Sequence, residues 1–410
     1  MQLRTKRRAL LVILLAFLMN LLQVLPMVSA AFTLFWAVRM KLQAAVPEVQ
    51  VAGCYAFQQV AHACGSNKGW MLYAGAVDAS IAALRNFPNS KEVQHACSQG
   101  VSTMSLFNLR NAEAAGEKGA VELVLDAQSR WPEDSNMQMG GASGCFMDFS
   151  RQNRVRFERH GGVKVLLDAI RNHFDSPEVV VQSFYGFSSG TQPPNAQAFV
   201  EAGGLEEGIR CMRAHAKSFR VREEIMQAFR NALWDAKSRA VAAEAGYITD
   251  LVTTMHDAPL DYHQISPACA NLGLLANHNR THRLMAVKAG ATQAALQAVT
   301  DFPRMKPTVA WSPEFDAQYT VYEDCIGLMN VLMRVCEAHE YLVESNASNV
   351  VEEVLSRGQA KVDARGDMAQ FGWGSDAHRL RLIGQDFLDW LRKPCVESEK
   401  DVIYEHIGGT

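Results

Sequence analysis

Apolar residues recur along this chain in the pattern of one helical stripe, and the stripe returns at even intervals. Each stripe follows a glycine and occupies the second, fifth, sixth and ninth positions after it, as at Val163, Leu166, Leu167 and Ile170. This spacing places the four side chains on one face of an α-helix, which must be buried against other elements. The glycines that open the stripes are Gly75, Gly119, Gly161, Gly203, Gly246 and Gly290, at spacings of 44, 42, 42, 43 and 44 residues.

Residues on both sides of the stripe predict two more helices in each repeat. Eight residues before the glycine stands an asparagine or a serine in five of the six repeats, and these residue types cap helix N-termini. A short first helix is therefore predicted to start there and to end at the glycine, which readily adopts a left-handed conformation. A proline 13 residues after the glycine ends the second helix in four repeats, and a longer third helix follows. The expected caps are Asn67, Asn111, Asn153, Asn195 and Ser238, with His282 as the exception.

The repeated unit resembles an armadillo repeat. The residues that carry this resemblance include "NRVRFERHGGVKVLL" (153–167), "SPEVVVQSFYGF" (176–187), "NAQAFVEAGGLEEGI" (195–209) and "AFRNALWD" (228–235). Endings such as "AIRNH" are similar to the armadillo units of leucine-rich-repeat kinases, although no kinase, GTPase or leucine-rich segment accompanies them. The resemblance implies an all-α, right-handed armadillo-type superhelical solenoid with about six clear three-helix repeats plus degenerate ends. A single unit cannot bury its own stripes, so neighbouring units stack.

This interpretation divides the chain into five segments. A hydrophobic segment at 1–41 precedes the repeat array at 42–300, an inserted loop covers 301–318, a degenerate repeat with a capping helix covers 319–395, and an acidic tail covers 396–410. The capping helix is expected to bury one apolar face and to leave the opposite, polar face in water. The buried face is predicted to hold Leu380, Ile383, Phe387 and Leu391, and the wet face Arg381, Gln385 and Arg392.

The N-terminal segment has the layout of a targeting signal. Basic residues precede an apolar run at 9–25, and small residues then predict a secretory signal peptide cleaved after Ala30. Apolar character extends to residue 38, so an uncleaved signal anchor that attaches the protein to a membrane through 9–38 is a second interpretation, because about 20 residues span a bilayer. A third is an extension wrongly joined to a cytoplasmic protein that starts near Met40. The first two place the protein in the secretory pathway or at a membrane.

The cysteines indicate the opposite compartment. There are nine, an odd number, scattered singly and without a CxxC motif, which is typical of buried free thiols in a reducing compartment. Two N-glycosylation sequons begin at Asn279 and Asn346, but such triplets arise often by chance and leave the conflict open. The nine are Cys54, Cys64, Cys97, Cys145, Cys211, Cys269, Cys325, Cys336 and Cys395.

Charge and motif content exclude several classes of function. Outside residues 1–41 the chain has 34 basic and 43 acidic residues, a net charge of −9, without a basic run, so nucleic acid is not an expected partner. No nucleophile motif, dinucleotide fingerprint or metal-ligand spacing occurs. Cys336, His339 and Glu340 cluster on one predicted helix without a second ligand group. We therefore expect no catalysis, no cofactor and no metal.

Two histidines also have a structural interpretation. His173 and His215 stand twelve residues after their glycines, where most other repeats place a large flat side chain. A histidine at that helix end also complements the helix dipole. We therefore expect neither to be a ligand or an acid–base group.

The armadillo resemblance implies that partners bind in a groove lined by the third helices. Nuclear-import receptors of that family carry Trp and Asn pairs there, and only Asn231 matches, which disfavours a cargo receptor. What remains is a polar and aromatic groove, and aromatic residues with arginine are enriched at binding hot spots. The candidate binding residues are Tyr185, Gln227, Arg230, Asn231 and Trp234, although Trp234 could instead pack between repeats.

The insertion is a second candidate. It contains three prolines together with Trp311 and Phe315, so it is either a binding loop or a tolerated insertion. The sequence as a whole predicts a non-catalytic scaffold or adaptor that holds an extended peptide segment or a helix of a partner protein.

Overall fold

The computed structural model describes residues 26–63, 67–140, 150–190, 195–277, 279–301, 317–365 and 374–395. Within these ranges there are 23 α-helices and no strand, which confirms the all-α prediction. The chain divides into two compact units, Met1–Gly204 and Leu205–Thr410.

Unit 1 contains two helices followed by three-helix repeats. Its helices are α1 (Pro26–Leu42), α2 (Pro47–Ala63), α3 (Asn67–Tyr73), α4 (Ala76–Asn86), α5 (Lys91–Ser105), α6 (Leu109–Glu117), α7 (Ala120–Arg130), α8 (Ser135–Gly140), α9 (Arg151–Arg159), α10 (Gly162–Asn172), α11 (Pro177–Gly190) and α12 (Asn195–Glu201). The predicted stripes are buried, as on α10, where Val163, Leu166, Leu167 and Ile170 are at most 6% exposed.

Unit 2 continues the same order of helices. They are α13 (Gly204–Ala214), α14 (Phe219–Ala232), α15 (Ala236–Glu244), α16 (Tyr247–Asp257), α17 (Tyr262–Asn277), α18 (Arg280–Lys288), α19 (Ala291–Asp301), α20 (Ala317–Leu332), α21 (Cys336–Glu344), α22 (Ala347–Arg365) and α23 (Gly374–Leu391). The third helices α14, α17, α20 and α23 pack side by side in this order.

The turn between first and second helices is left-handed in every repeat. The six glycines that open the apolar stripes all have φ between 73° and 91°. At Gly246 the backbone is also approached closely, since an added Cβ would lie 2.8 Å from Nη2 of Arg213. Asn346, with φ of 56°, occupies the same position between α21 and α22. Helices α21 to α23 therefore have the order of a seventh repeat, in which asparagine, which tolerates this conformation better than most residues, replaces glycine.

For three of the five predicted N-caps, Asn111, Asn153 and Ser238, the capping residue lies three residues earlier. The backbone N–H of Asn111 donates to the side chain of Asn108 at 3.0 Å, and that of Ser238 donates to Asp235 at 2.9 Å, so the capping residues are Asn108 and Asp235. Asn111 itself is buried inside α6. The sequence pattern missed this because asparagine and serine suit both positions.

The buried asparagines instead link successive repeats of unit 1. Nδ2 of Asn111 donates to the carbonyl of Lys68 at 2.8 Å, 43 residues earlier. Nδ2 of Asn153 donates to the carbonyl of Ala112 at 2.8 Å. Asn195 repeats this contact in α12, with a 3.1 Å bond to the carbonyl of Arg154. Each bond joins the first helices of two neighbouring repeats and satisfies a buried polar group.

Helix α1 takes the place of a second helix. Nε2 of Gln50 donates to the carbonyl of Met40 at 3.1 Å, as Gln94 does to Leu84 at 2.7 Å one repeat later. The inward face of α1 is buried, and on its outward face Leu34, Phe35 and Val38 are about half exposed. The buried side chains are Ser29, Thr33, Ala37 and Met40.

The structure thus describes only the last part of the expected targeting segment. Residues 1–25, which include the whole apolar run at 9–25, lie outside the described ranges. Among the helices that are described, none is long and apolar enough to span a bilayer.

The expectation of free thiols was wrong for six of the nine cysteines. The pairs Cys54–Cys97, Cys269–Cys325 and Cys336–Cys395 form disulfides, with Cα–Cα distances of 4.9, 5.1 and 5.5 Å. Cys54 and Cys97 are 43 residues apart, which is one repeat, so stacking brings equivalent points of neighbouring third helices together. Cys211 is a buried free thiol, and burial raises its pKa to about 12. Cys64 and Cys145 lie outside the described residues.

The capping helix α23 buries the apolar face that its sequence predicts. Leu380, Ile383, Phe387 and Leu391 are at most 7% exposed. Arg381 and Gln385 on its polar face are exposed, and so is Arg392, which directly follows the helix. Nδ2 of Asn330 on α20 donates to the carbonyl of Ile383 at 3.0 Å, which ties α23 to the preceding third helix.

Candidate protein-interaction surface

One face of α14 carries most of the predicted binding residues. Gln227, Arg230 and Asn231 are partly exposed, and Trp234 follows two residues after the helix ends. Their spacing of three to four residues places them along one line of the helix. Val221 and Ile225, on the opposite face, are fully buried in the core of unit 2.

Trp234 projects from this face. The structure leaves 58% of it exposed, so the alternative in which it is buried between repeats is not what the structure shows. The backbone at Trp234 is fixed by a hydrogen bond, because the carbonyl of Trp234 accepts a 2.8 Å bond from Nη1 of Arg239. Tryptophan is one of the residue types that are enriched at interaction hot spots.

The neighbouring third helices add charged and polar groups that the sequence analysis did not single out. Oγ of Ser266 on α17 donates to Oδ2 of Asp324 on α20 at 2.6 Å. Beside it, Nη2 of Arg379 on α23 lies 3.3 Å from Oε2 of Glu323. We refer to Arg230, Ser266, Glu323, Asp324 and Arg379 as the polar cluster. Its members come from all four third helices of unit 2.

Asp324 is the electrostatic centre of the polar cluster. Burial raises the pKa of its carboxyl group to about 6, while the positive charge of Arg230, the hydrogen bond from Ser266 and the charge of Arg379 act in the opposite direction. The two guanidinium groups therefore lie close enough to Asp324 to favour its ionised form. The polar cluster therefore contains charged side chains of both signs.

An ion pair stands at the other end of α14. Nδ1 of His263 on α17 lies 2.7 Å from Oε1 of Glu223. The hydrogen bond to Glu223 raises the pKa of His263, against the effect of burial. The ring of Tyr262 lies against that of His263, with centroids 3.9 Å apart.

Tyr185 lies in unit 1, apart from the other four predicted residues in the chain. It is a partly exposed residue of α11, and its carbonyl accepts a 2.9 Å hydrogen bond from Oγ of Ser188. Elsewhere in unit 1 the third helices α2 and α5 are joined by neutral groups. Nε2 of Gln58 donates to Oε1 of Gln99 at 3.2 Å. Trp311 and Phe315 lie outside the described residues.

The polar cluster could have been found in part from the sequence. The acidic pair in "VYEDC" (321–325) interrupts an otherwise apolar helix, which is unusual for a buried segment. Arg379 gave no such signal, because its role depends on α23 being the third helix of a further repeat.

Two of the other candidate residues, Cys336 and His173, make structural contacts. Among the described residues, no group of three or more His, Cys, Asp and Glu side chains is placed to hold a metal ion. Cys336 is in a disulfide, and His339 is buried. Nε2 of His173 lies 2.8 Å from the carbonyl of Pro132 in the preceding repeat, so it joins two repeats.

Comparison with known proteins supports the fold. No protein-family model and no curated protein matches the sequence. Among solved structures, an engineered protein is similar with a TM-score of 0.64 and 14% identity, over 92% of this chain and 94% of that one. A chain from a structure concerned with the interaction between cadherin and beta-catenin has a TM-score of 0.58 and 15% identity, over 81% of this chain and 62% of that one.

Designed armadillo repeat proteins are also among the neighbours, one with a TM-score of 0.49 and 17% identity, over 62% of this chain and 98% of the designed one. The neighbours with TM-scores of 0.64 and 0.58 show the fold alone, and it is the all-α helical-repeat fold that the sequence resemblance implied.

Proposed function

We propose that this protein is a non-catalytic scaffold or adaptor that binds an extended segment or a helix of a partner protein along the third helices of unit 2. The observation that carries the proposal is the row formed by exposed Trp234 on one side and the polar cluster on the other. Trp234 offers apolar contact, and Arg230 and Asp324 offer charges of both signs. A partner segment with mixed charge and at least one large apolar side chain fits this surface best.

The arrangement favours binding because its side chains are already held in place. Asp324 accepts a hydrogen bond from Ser266, and Arg379 is paired with Glu323. A rigid surface loses little entropy on association, so most of the ordering cost falls on the partner segment. The cadherin and beta-catenin structure, which shares this fold, concerns a protein–protein interaction.

Other functions have less support. The nuclear-import type of cargo receptor lacks its Trp and Asn pairs here, since only Asn231 matches. An enzyme also needs a pocket for its substrate, and in the polar cluster Asp324 and Glu323 are already paired with Ser266 and Arg379.

A peptide-display selection tests the proposal. The full chain is immobilised, a random 16-residue peptide library is selected against it, and the affinity of the enriched peptides is measured by fluorescence anisotropy. Truncating a hot-spot tryptophan costs at least about 2 kcal/mol, so Trp234→Ala is expected to weaken binding by roughly 30-fold. Arg230→Ala should weaken it as well.

Trp70 supplies a matched control. It is 57% exposed, nearly the same as Trp234, but lies on the first helix α3 of unit 1. Trp70→Ala should leave the affinity unchanged. Peptides that bind equally to wild type and Trp234→Ala, or a selection that enriches none, would contradict the proposed surface.

The proposal extends to the location of the protein. Leu34, Phe35 and Val38 on α1 are about half exposed and belong to the apolar character that continues beyond 9–25 to residue 38, which supports membrane attachment through residues 9–38. A signal cleaved after Ala30 is the alternative within the secretory pathway. Membrane fractionation of native cells, followed by mass spectrometry of the N-terminus, separates these two from a cytoplasmic protein that starts near Met40.

A further inference from the structure

Three disulfides place constraints on where this chain folds. Their Cα–Cα distances of 4.9, 5.1 and 5.5 Å all fall in the range that a disulfide bridge requires. The half-cystines Cys54, Cys97, Cys269 and Cys325 are fully buried in the helical core. Disulfides form and persist in oxidising compartments, such as the lumen of the secretory pathway.

The N-terminal sequence agrees with that compartment. Four basic residues precede the apolar run at 9–25, and positively charged flanks stay on the cytoplasmic side of a membrane. A cleaved signal and an uncleaved anchor would therefore both direct the repeat array to the oxidising side. In that compartment, Asn-X-Ser/Thr sequons on the surface become acceptors for N-linked glycans.

Asn346 occupies a sequon on the surface of unit 2. It is exposed, and its φ of 56° places it in the left-handed turn between α21 and α22. The sequon continues with Ala347, which is buried, and with Ser348, which is partly exposed. The same repeat is bridged by the Cys336–Cys395 disulfide.

The second sequon differs in its side-chain contacts. Asn279 is only partly exposed, because it caps the N-terminus of α18. Its Oδ1 accepts hydrogen bonds from the backbone N–H groups of Thr281 at 2.8 Å and of His282 at 3.1 Å. A glycan on the Asn279 side chain would have to extend into solvent from beside the start of α18, whose backbone N–H groups hold the side-chain oxygen of Asn279 in place.

We infer that Asn346 is an N-linked glycosylation site. Nδ2 of Asn346 forms a bond to the anomeric carbon of an oligosaccharide that is carried on a lipid diphosphate. The bond from that carbon to the diphosphate oxygen breaks, the lipid diphosphate leaves with the electron pair, and the amide nitrogen loses one proton. The product is a glycan on the turn between α21 and α22, on the exposed side of unit 2.

The repeat architecture provides a test variant that removes the sequon without changing the turn. Asn346→Gly removes the sequon and installs the residue that six other repeats have at this position, so the fold is preserved. The full chain and its variants are expressed in eukaryotic cells that glycosylate secretory proteins. Each is isolated, and its intact mass is measured before and after treatment with an endoglycosidase that releases N-glycans.

We expect the enzyme to remove one glycan mass from Asn346 of the wild-type chain. Asn346→Gly and Ser348→Ala should both lose that mass, and Asn279→Gln should retain it. A wild-type chain of unmodified polypeptide mass overturns the inference. So does a glycan that survives Asn346→Gly and disappears in Asn279→Gln.

Discussion

The side-chain amide of Asn111 donates a hydrogen bond to the carbonyl of Lys68, 43 residues earlier and 2.8 Å away. It makes a second bond, at 2.9 Å, to the carbonyl of Met104 at the end of the preceding third helix. One side chain therefore satisfies two backbone carbonyls from different helices. Because Asn153 and Asn195 repeat the contact to the preceding repeat, this bond is part of the periodic structure of unit 1 and not a local detail.

Asn111→Ala is expected to lower the free energy of unfolding by about 1–3 kcal/mol, because it leaves buried carbonyls without a donor. Chemical denaturation of the full chain measures this change. Asn172→Ala, at an exposed position on α10, should change stability by less than about 0.5 kcal/mol. Equal effects of the two variants would contradict the role given to Asn111.

Two Gly→Ala variants are expected to have opposite signs. Gly246→Ala should destabilise by about 1–2 kcal/mol, because φ at this position is 88° and a Cβ also approaches Arg213. Gly69→Ala lies inside α3 with open space around the added Cβ, and should stabilise by about 0.5–1 kcal/mol. Thermal unfolding of both variants checks the prediction, and destabilisation by Gly69→Ala would show that the space around α3 is not open.

Removing the Cys54–Cys97 bridge is expected to destabilise the protein. Replacing both residues by serine frees a loop of 43 residues in the unfolded chain, and such bridges typically contribute about 2–4 kcal/mol. Denaturation of the wild type and of the double variant, with and without reductant, measures the effect. Reductant should lower the stability of the wild type in part toward that of the double variant. Alkylation of the unreduced, denatured wild-type chain should leave the six cysteines of the three described bridges unmodified. Modification of all nine would show that the bridges do not form.

The pH dependence of stability should report on Asp324. Its folded-state pKa is about 6, above the value near 3.9 of an unfolded aspartate. The folded state therefore binds a proton more readily, so the contribution of this group to stability is present below about pH 4 and is lost as pH rises through about 6. Asp324→Asn should flatten this part of the profile and raise the melting temperature at pH 7.

Melting temperatures of the wild-type chain and of Asp324→Asn, recorded between pH 4 and 7, measure this slope. A slope that persists unchanged in Asp324→Asn would show that another group titrates in this range.

The sequence predicted the repeated unit well because periodicity within one helix is a local property. Val163, Leu166, Leu167 and Ile170 share a face by helical geometry alone, and the glycine turns follow from backbone sterics. The position of the caps was less certain. Asn108 and Asn111 are three residues apart and of the same type, so the pattern could not tell the capping residue from the one that bonds across repeats.

What the sequence determined by itself was therefore the all-α repeat and the apolar face of each helix, since both depend on residues within one turn or one repeat. The tertiary structure decided the contacts between repeats. It pairs Cys54 with Cys97, places Ser266 against Asp324, and gives Asn346 the turn position of a glycine. These relationships join residues that are far apart in the chain. Their contacts cannot be predicted from the sequence, because they depend on which helices become neighbours when the repeats stack.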